Sequence, residues 1–120
     1  MKIPGLTTIP GWQIHAVLVK NRNKDDADTL TADFDYAKTG SNLIMRTRKN
    51  GDRFQPLGMP GMKKVGQFML DAKIPQNLRN NIPIIAAPDG IAWVAGYRVD
   101  ERFKVTDVTE KVLRLKLERI

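Results

Sequence analysis

The chain has 120 residues, no cysteine, one histidine and a formal net charge of +7, which makes it long enough for one buried core. Disulfide scaffolds and thiolate zinc sites are excluded, a histidine-rich metal site cannot be assembled, and a Ser-His-Asp triad would have to use both Ser41 and His15. No apolar run approaches a membrane span and MKIPGLTTIP has no signal-peptide core, so the chain is expected in the cytoplasm with no membrane partner.

Pro4, Gly5, Pro10 and Gly11 punctuate the start, which reads as a loop. A strand follows over 12–19, with Trp12, Ile14, Ala16 and Leu18 on one face and Gln13, His15, Val17 and Val19 on the other. His15 therefore reads as a solvent-facing strand residue. The mixed-charge run 20–28 reads as a hairpin loop leading to a second strand, in which Leu30, Ala32, Phe34 and Tyr36 alternate with Thr29, Thr31, Asp33 and Asp35. Asp33 and Asp35 share a face and could bind a cation or do acid–base work, but their alternation with core residues marks them as solvated strand charges. Residues 1–40 are thus an N-terminal β-hairpin portion of one domain spanning 1–120, and 41–120 are the portion that carries its motifs.

After a turn over 38–42 a strand over 43–47 runs into RTRKNGDRFQPLGMPGMKK, residues 46–64, which holds six cations and one acid. Lys and Arg number eight against two acids in residues 41–80, five against five before it and seven against six after it, so the positive charge belongs to the middle third. Concentrated like charge in a folded domain points to a polyanionic partner. Asn50-Gly51 signals a hairpin that would bring Arg48 and Arg53 together. The prolines and glycines of 56–61 preclude regular structure. Met62, Val65, Phe68, Met69 and Ala72 then recur at helical spacing, which places Lys63 and Lys64 in the first turn of a helix. Cations there oppose the dipole, whereas an anion between them would suit it. The glycine spacing is not that of a Walker A loop and no Ser or Thr follows the lysines, so nucleotide hydrolysis by this chain alone is not expected.

A short helix follows over 76–80, with Leu78 inward and Arg79 outward. Residues 82–87 and 91–97 read as a hairpin of buried strands around Pro88-Asp89-Gly90, with Trp93 in the core and Gly96 at a bulge or close approach. Residues 98–105 read as another strand, 106–110 could cap a helical turn, and Leu113, Leu115 and Leu117 alternate in a closing strand. Strands outnumber helices and the helices cluster in the middle, an α+β pattern of mostly antiparallel strands.

The series Arg46-x-Arg48, Gly51-Asp52-Arg53-Phe54, Pro56-Leu57-Gly58, Lys63-Lys64, Phe68, Asp71 to Pro75, Arg79, Ile82-Pro83, Gly90 to Gly96 and Arg98 resembles the C-terminal domain of bacterial tRNA(Ile)-lysidine synthetase. The resemblance is dense from about residue 43 to 109 and thinner before that. It implies a β-sandwich with one or two short helices inserted in the middle, shared with a domain of the phenylalanyl-tRNA synthetase β chain. It also implies a non-catalytic tRNA-binding module that contacts the acceptor stem of isoleucine tRNA with a CAU anticodon and helps reject elongator methionine tRNA. The ATP- and Mg-dependent ligation of lysine to the wobble cytidine would belong to an N-terminal catalytic domain, which is then a partner, and no cofactor or metal is expected here.

By motif position Arg46, Arg48, Arg53, Lys63, Lys64 and Arg79 are the implied RNA contacts, with Asp52 orienting Arg48 or Arg53. Where the family has a bulkier, more charged helix, this chain has Val65-Gly66-Gln67, and Gly66 should weaken the helix by about 1 kcal/mol relative to Ala. Two other readings stand beside this one. The domain could be structural, forming a homodimer or positioning the synthetase without touching RNA. It could be an enzyme using Asp33, Asp35 or His15.

Overall fold

The structure, a computed structural model, describes residues 1–20 and 29–120. In chain order its elements are β1 (Gly5–Ile9), β2 (Trp12–Val19), β3 (Thr31–Asp35), α1 (Tyr36–Thr39), β4 (Ile44–Arg46), β5 (Arg53–Phe54), β6 (Lys63–Lys64), α2 (Val65–Asp71), α3 (Gln76–Arg79), β7 (Ile84–Ala87), β8 (Gly90–Val94), β9 (Arg98–Val99) and β10 (Val112–Arg119). There are two four-stranded antiparallel sheets, ordered β1-β2-β10-β3 and β4-β7-β8-β9, and a separate two-stranded ribbon of β5 and β6.

The first sheet follows the two-residue period of its strands. Ile14, Ala16, Phe34, Leu113, Leu115 and Leu117 turn one way and are buried, while His15 faces solvent as expected. Two expectations fail here. Residues 5–9 are a strand, not a loop, paired with β2 across a turn in which Gly11 takes φ 86°. And β3 does not pair with β2, because β10 lies between them, with Leu115 opposite both Ala16 and Ala32. With neighbours on both edges the backbone of β10 is paired along its length, and that partner choice is non-local. The expected hairpin loop over 20–28 falls, beyond Lys20, outside the described residues.

The second sheet is covered on both faces, which is why β7 and β8 read as unbroken apolar runs. Consecutive Ile84 and Ile85 are both fully buried and point opposite ways. Ile85 and Trp93 meet the first sheet, where Phe34 approaches Trp93 edge-on at 6.1 Å between ring centroids. Ile84, Ile91 and Val94 meet a third layer built from Phe54, Val65, Phe68, Met69 and Ile74. The expected hairpin of β7 and β8 is present, with a register irregularity between Ile85 and Ala86, whereas Gly96 sits at φ 83° in the turn between β8 and β9.

Asp33 and Asp35 are not solvated strand charges. Asp33 lies opposite Arg114 of β10 and accepts from its Nε and NH2 at 2.9 and 3.1 Å. Asp35 is buried, caps α1 by accepting from the Ala37 N–H, and accepts the Thr109 hydroxyl. Both carboxylates are committed to partners within the fold.

The expected strand over 98–105 stops after two residues. Asp100, fully buried, accepts from the backbone N–H groups of Gln55 and Arg102 and from Nε and NH2 of Arg102. Its carboxylate draws the chain into a 3₁₀ turn, Glu101–Phe103, in place of a ladder. Together with the Glu101 N–H, which donates to the Gln55 carbonyl at 2.7 Å, the Asp100 side chain ties the end of β5 to the edge of the second sheet.

Candidate nucleic-acid interface

The ribbon is where the excess charge is presented. Phe54 is fully buried and meets Phe68 of α2 edge-on at 5.1 Å, so β5 is nailed to the third layer by one ring. Alternation then sends Arg53 outward, and the antiparallel register sets it directly opposite Lys64, also exposed. Like charges in directly opposed positions destabilise a strand pair. Among the described residues neither side chain has a hydrogen bond or ion pair that would offset this.

Lys63 and Lys64 are therefore on a strand and not in the first helical turn. Lys64 has ψ 135° and only precedes α2, and the Val65 N–H donates to the Asp52 carbonyl at 2.9 Å. Pairing with β5 keeps the backbone extended through Lys64, a tertiary constraint that helical periodicity does not register. The expected arrangement of an anion between two lysines and a helix dipole is replaced by a cationic cross-strand pair.

The Asn50-Gly51 signal does mark a tight turn, with Gly51 at φ 87° and the Asp52 N–H donating to the Lys49 carbonyl at 3.2 Å. Its flanking strands, however, do not pair with each other, since β4 pairs with β7 and β5 with β6. Asp52 holds Arg46, not Arg48 or Arg53. Arg46 donates from NH1 and NH2 to its two oxygens at 2.8 and 3.1 Å, and the Lys49 N–H donates to it at 2.8 Å. Burial pushes the Asp52 carboxyl up, but these hydrogen bonds and the nearby positive charge outweigh it and hold the group below its ordinary range. Arg46 is thus charge-compensated and mostly buried, with 20% of its side chain exposed.

The other cations divide the same way. Lys63 pairs with Asp71, whose carboxyl is lowered by that hydrogen bond and by one from Gln67. Arg79 donates from Nε to the Ile74 carbonyl at 2.9 Å, latching the loop after α2. It is half-buried and Leu78 is 38% exposed, the reverse of the expected facing, because the Ile74 carbonyl takes the arginine. Arg48 donates from Nε to Asn80 Oδ1 at 2.9 Å and lies over Gly66, where an added methyl would sit 3.7 Å from NH1.

These elements enclose a cleft of about 490 Å³ whose lining includes Arg48, Lys49, Lys64, Gln67 and Asn80 together with Asp52, its one carboxylate. Of the sequence-derived contacts it gathers Arg48 and Lys64, with Arg53 directly across the ribbon, while Arg46, Lys63 and Arg79 lie outside its lining. Lys49, Gln67 and Asn80 were missed. Lys49 stands inside the cationic run and carried that signal, whereas nothing local marks Asn80, which reaches Arg48 from 32 positions away. Among the described residues no group of three or more His, Asp or Glu could hold a metal ion, and no helix is long and apolar enough to cross a membrane.

Residues 43–117 match the family model for the TilS substrate C-terminal domain. The chain is 44% identical over 116 residues to a tRNA(Ile)-lysidine synthase of Caldanaerobacter subterraneus subsp. tengcongensis, covering 94% of this chain and 25% of that protein. It is 44% identical over 91 residues to the tRNA(Ile)-lysidine synthase of Clostridium tetani, covering 76% and 20%. The chain thus spans about a quarter or less of the length of these relatives. A solved TilS C-terminal domain superposes with a TM-score of 0.86 at 27% identity, covering all of this chain and 94% of that one. An N-terminal fragment of the phenylalanyl-tRNA synthetase β-subunit from Pyrococcus horikoshii shares the fold over 72% of this chain and 27% of its own, with a TM-score of 0.61 at 16% identity.

Proposed function

Because this chain belongs to the TilS substrate C-terminal domain family, we propose that it is the part of a tRNA(Ile)-lysidine synthase that docks the acceptor stem of isoleucine tRNA bearing a CAU anticodon. ATP-dependent transfer of lysine to the wobble cytidine is then the work of the rest of such a synthase, with ATP and Mg bound there. The observation that carries the reading is the directly opposed, exposed pair Arg53 and Lys64 beside a cleft that adds Arg48 and Lys49. A-form RNA presents phosphates and 2′-hydroxyls along a wide, shallow minor groove, so a rigid face of this kind reads stem shape first. Phosphates between Arg53 and Lys64 turn a repulsive pair into a bridged one. The neutral amides of Gln67 and Asn80 are suited to 2′-hydroxyls.

The test is titration of the domain with isoleucine tRNA (CAU) and elongator methionine tRNA at two salt concentrations. Four phosphate contacts, from Arg48, Lys49, Arg53 and Lys64, correspond to a log–log salt slope of about −2.8 to −3.6. A slope of that size with preference for the isoleucine tRNA supports the reading. Absence of binding sinks it and returns the domain to a structural or homodimerising role.

A further inference from the structure

A second hollow, of about 330 Å³, opens beside α3, walled by Trp12, Leu78, Pro83, Tyr97 and Leu117, with Asn81 and Arg119 at its rim. Trp12 is fixed as a wall: its indole N–H donates to the Asn81 carbonyl at 2.9 Å and the Arg119 guanidinium stands 5.2 Å from its ring centroid. Tyr97 and Leu78 are 45% and 38% exposed, so two of the apolar walls are open to solvent. One peptide unit links the two linings, for Asn80 lines the cationic cleft and Asn81 this hollow.

We propose that this hollow receives one unstacked nucleobase of the RNA whose phosphates lie in the neighbouring cleft. The proposal rests on the RNA-docking reading above and adds an unpaired nucleotide to the duplex contacts. A nucleotide joins a planar, apolar-faced ring to an anionic group within one residue, and consecutive residues of this chain, Asn80 and Asn81, line a cationic cleft and an apolar hollow with aromatic walls. Tyrosine and tryptophan faces take any base by stacking, and a wall already held by Asn81 and Arg119 loses little freedom when one arrives. Bases inside a stem are stacked on one another and cannot enter, so the occupant comes from a single-stranded segment.

The experiment compares two RNA hairpins with the same stem, one blunt and one with a short unpaired 3′ tail, binding to the 120-residue chain and to its Tyr97→Ala and Leu78→Ala variants. The tail is expected to tighten binding by at least about fivefold. Both variants should lose that advantage and keep the affinity of the parent for the blunt hairpin. In a Trp93→Phe background Trp12 is the one remaining tryptophan of two, and the tailed hairpin should quench its fluorescence. Should that background fail to fold, the affinity comparison decides without a reporter. Equal affinity for the two hairpins, or a tail advantage that survives Tyr97→Ala and Leu78→Ala, overturns the proposal while the docking reading stands. Failure to bind either hairpin overturns both.

Discussion

Replacing Arg53 and Lys64 together by alanine should move RNA binding and fold stability in opposite directions. The two side chains face each other on β5 and β6, are exposed, and have no side-chain partner among the described residues. In the free domain they only repel, and cross-strand pairs of this kind are worth about 0.2–1 kcal/mol, so their removal should leave stability unchanged or raise it by up to that amount. Bound to RNA, each is expected to neutralise one phosphate. Two lost contacts reduce the log–log salt slope by about 1.4–1.8. The assays are urea denaturation of the free domain, read at constant m-value, and tRNA titration across a salt series. An unchanged salt slope would refute the placement of the ribbon against RNA. A loss of more than about 1 kcal/mol in stability would show that the pair supports the fold and that the register argument is wrong.

Arg46→Ala should behave the other way, costing about 1–3 kcal/mol because it strips the bidentate partner from a largely buried Asp52, with the loss reduced in the Arg46→Ala, Asp52→Ala double variant; a double-mutant cycle by denaturation checks it. The lowered Asp52 pKa makes the folded state bind fewer protons than the unfolded state, so this clamp contributes stability above the ordinary value of 3.8 and loses it as pH falls through the lower folded value. Denaturation midpoints followed below about pH 4 should fall less steeply in Asp52→Asn than in the parent, and parallel curves would contradict the assignment. Asp100→Ala leaves two backbone N–H groups and the Arg102 guanidinium without their acceptor, and should cost about 3 kcal/mol or more, read as a loss of thermal midpoint. A shift of only a degree or two would show that Asp100 is not the tie between the ribbon and the second sheet.

Much of the scaffold is written in local pattern. Two-residue alternation marks β2, β3 and β10, and Pro88-Asp89-Gly90 marks the hairpin of β7 and β8, because side-chain direction and turn dihedrals depend on neighbours in the chain. The concentration of cations between 46 and 64 and the motif series were legible in the same way. Strand partners were not, since nothing within β2 or β3 says that β10 will lie between them. Nor could the sequence rank its cations. Arg46, Lys63 and Arg79 match the motif as well as Arg53 and Lys64 do, yet Asp52 and Asp71 pair with the first two, whereas Arg79 and Arg48 each donate Nε to an uncharged oxygen, of Ile74 and of Asn80. By itself the sequence determined which segments bury a face and where the charge is concentrated, because both are sums over adjacent residues. Only the tertiary structure decided which of those charges are paired with a carboxylate, because compensation depends on distances of a few ångströms between residues that the fold brings together.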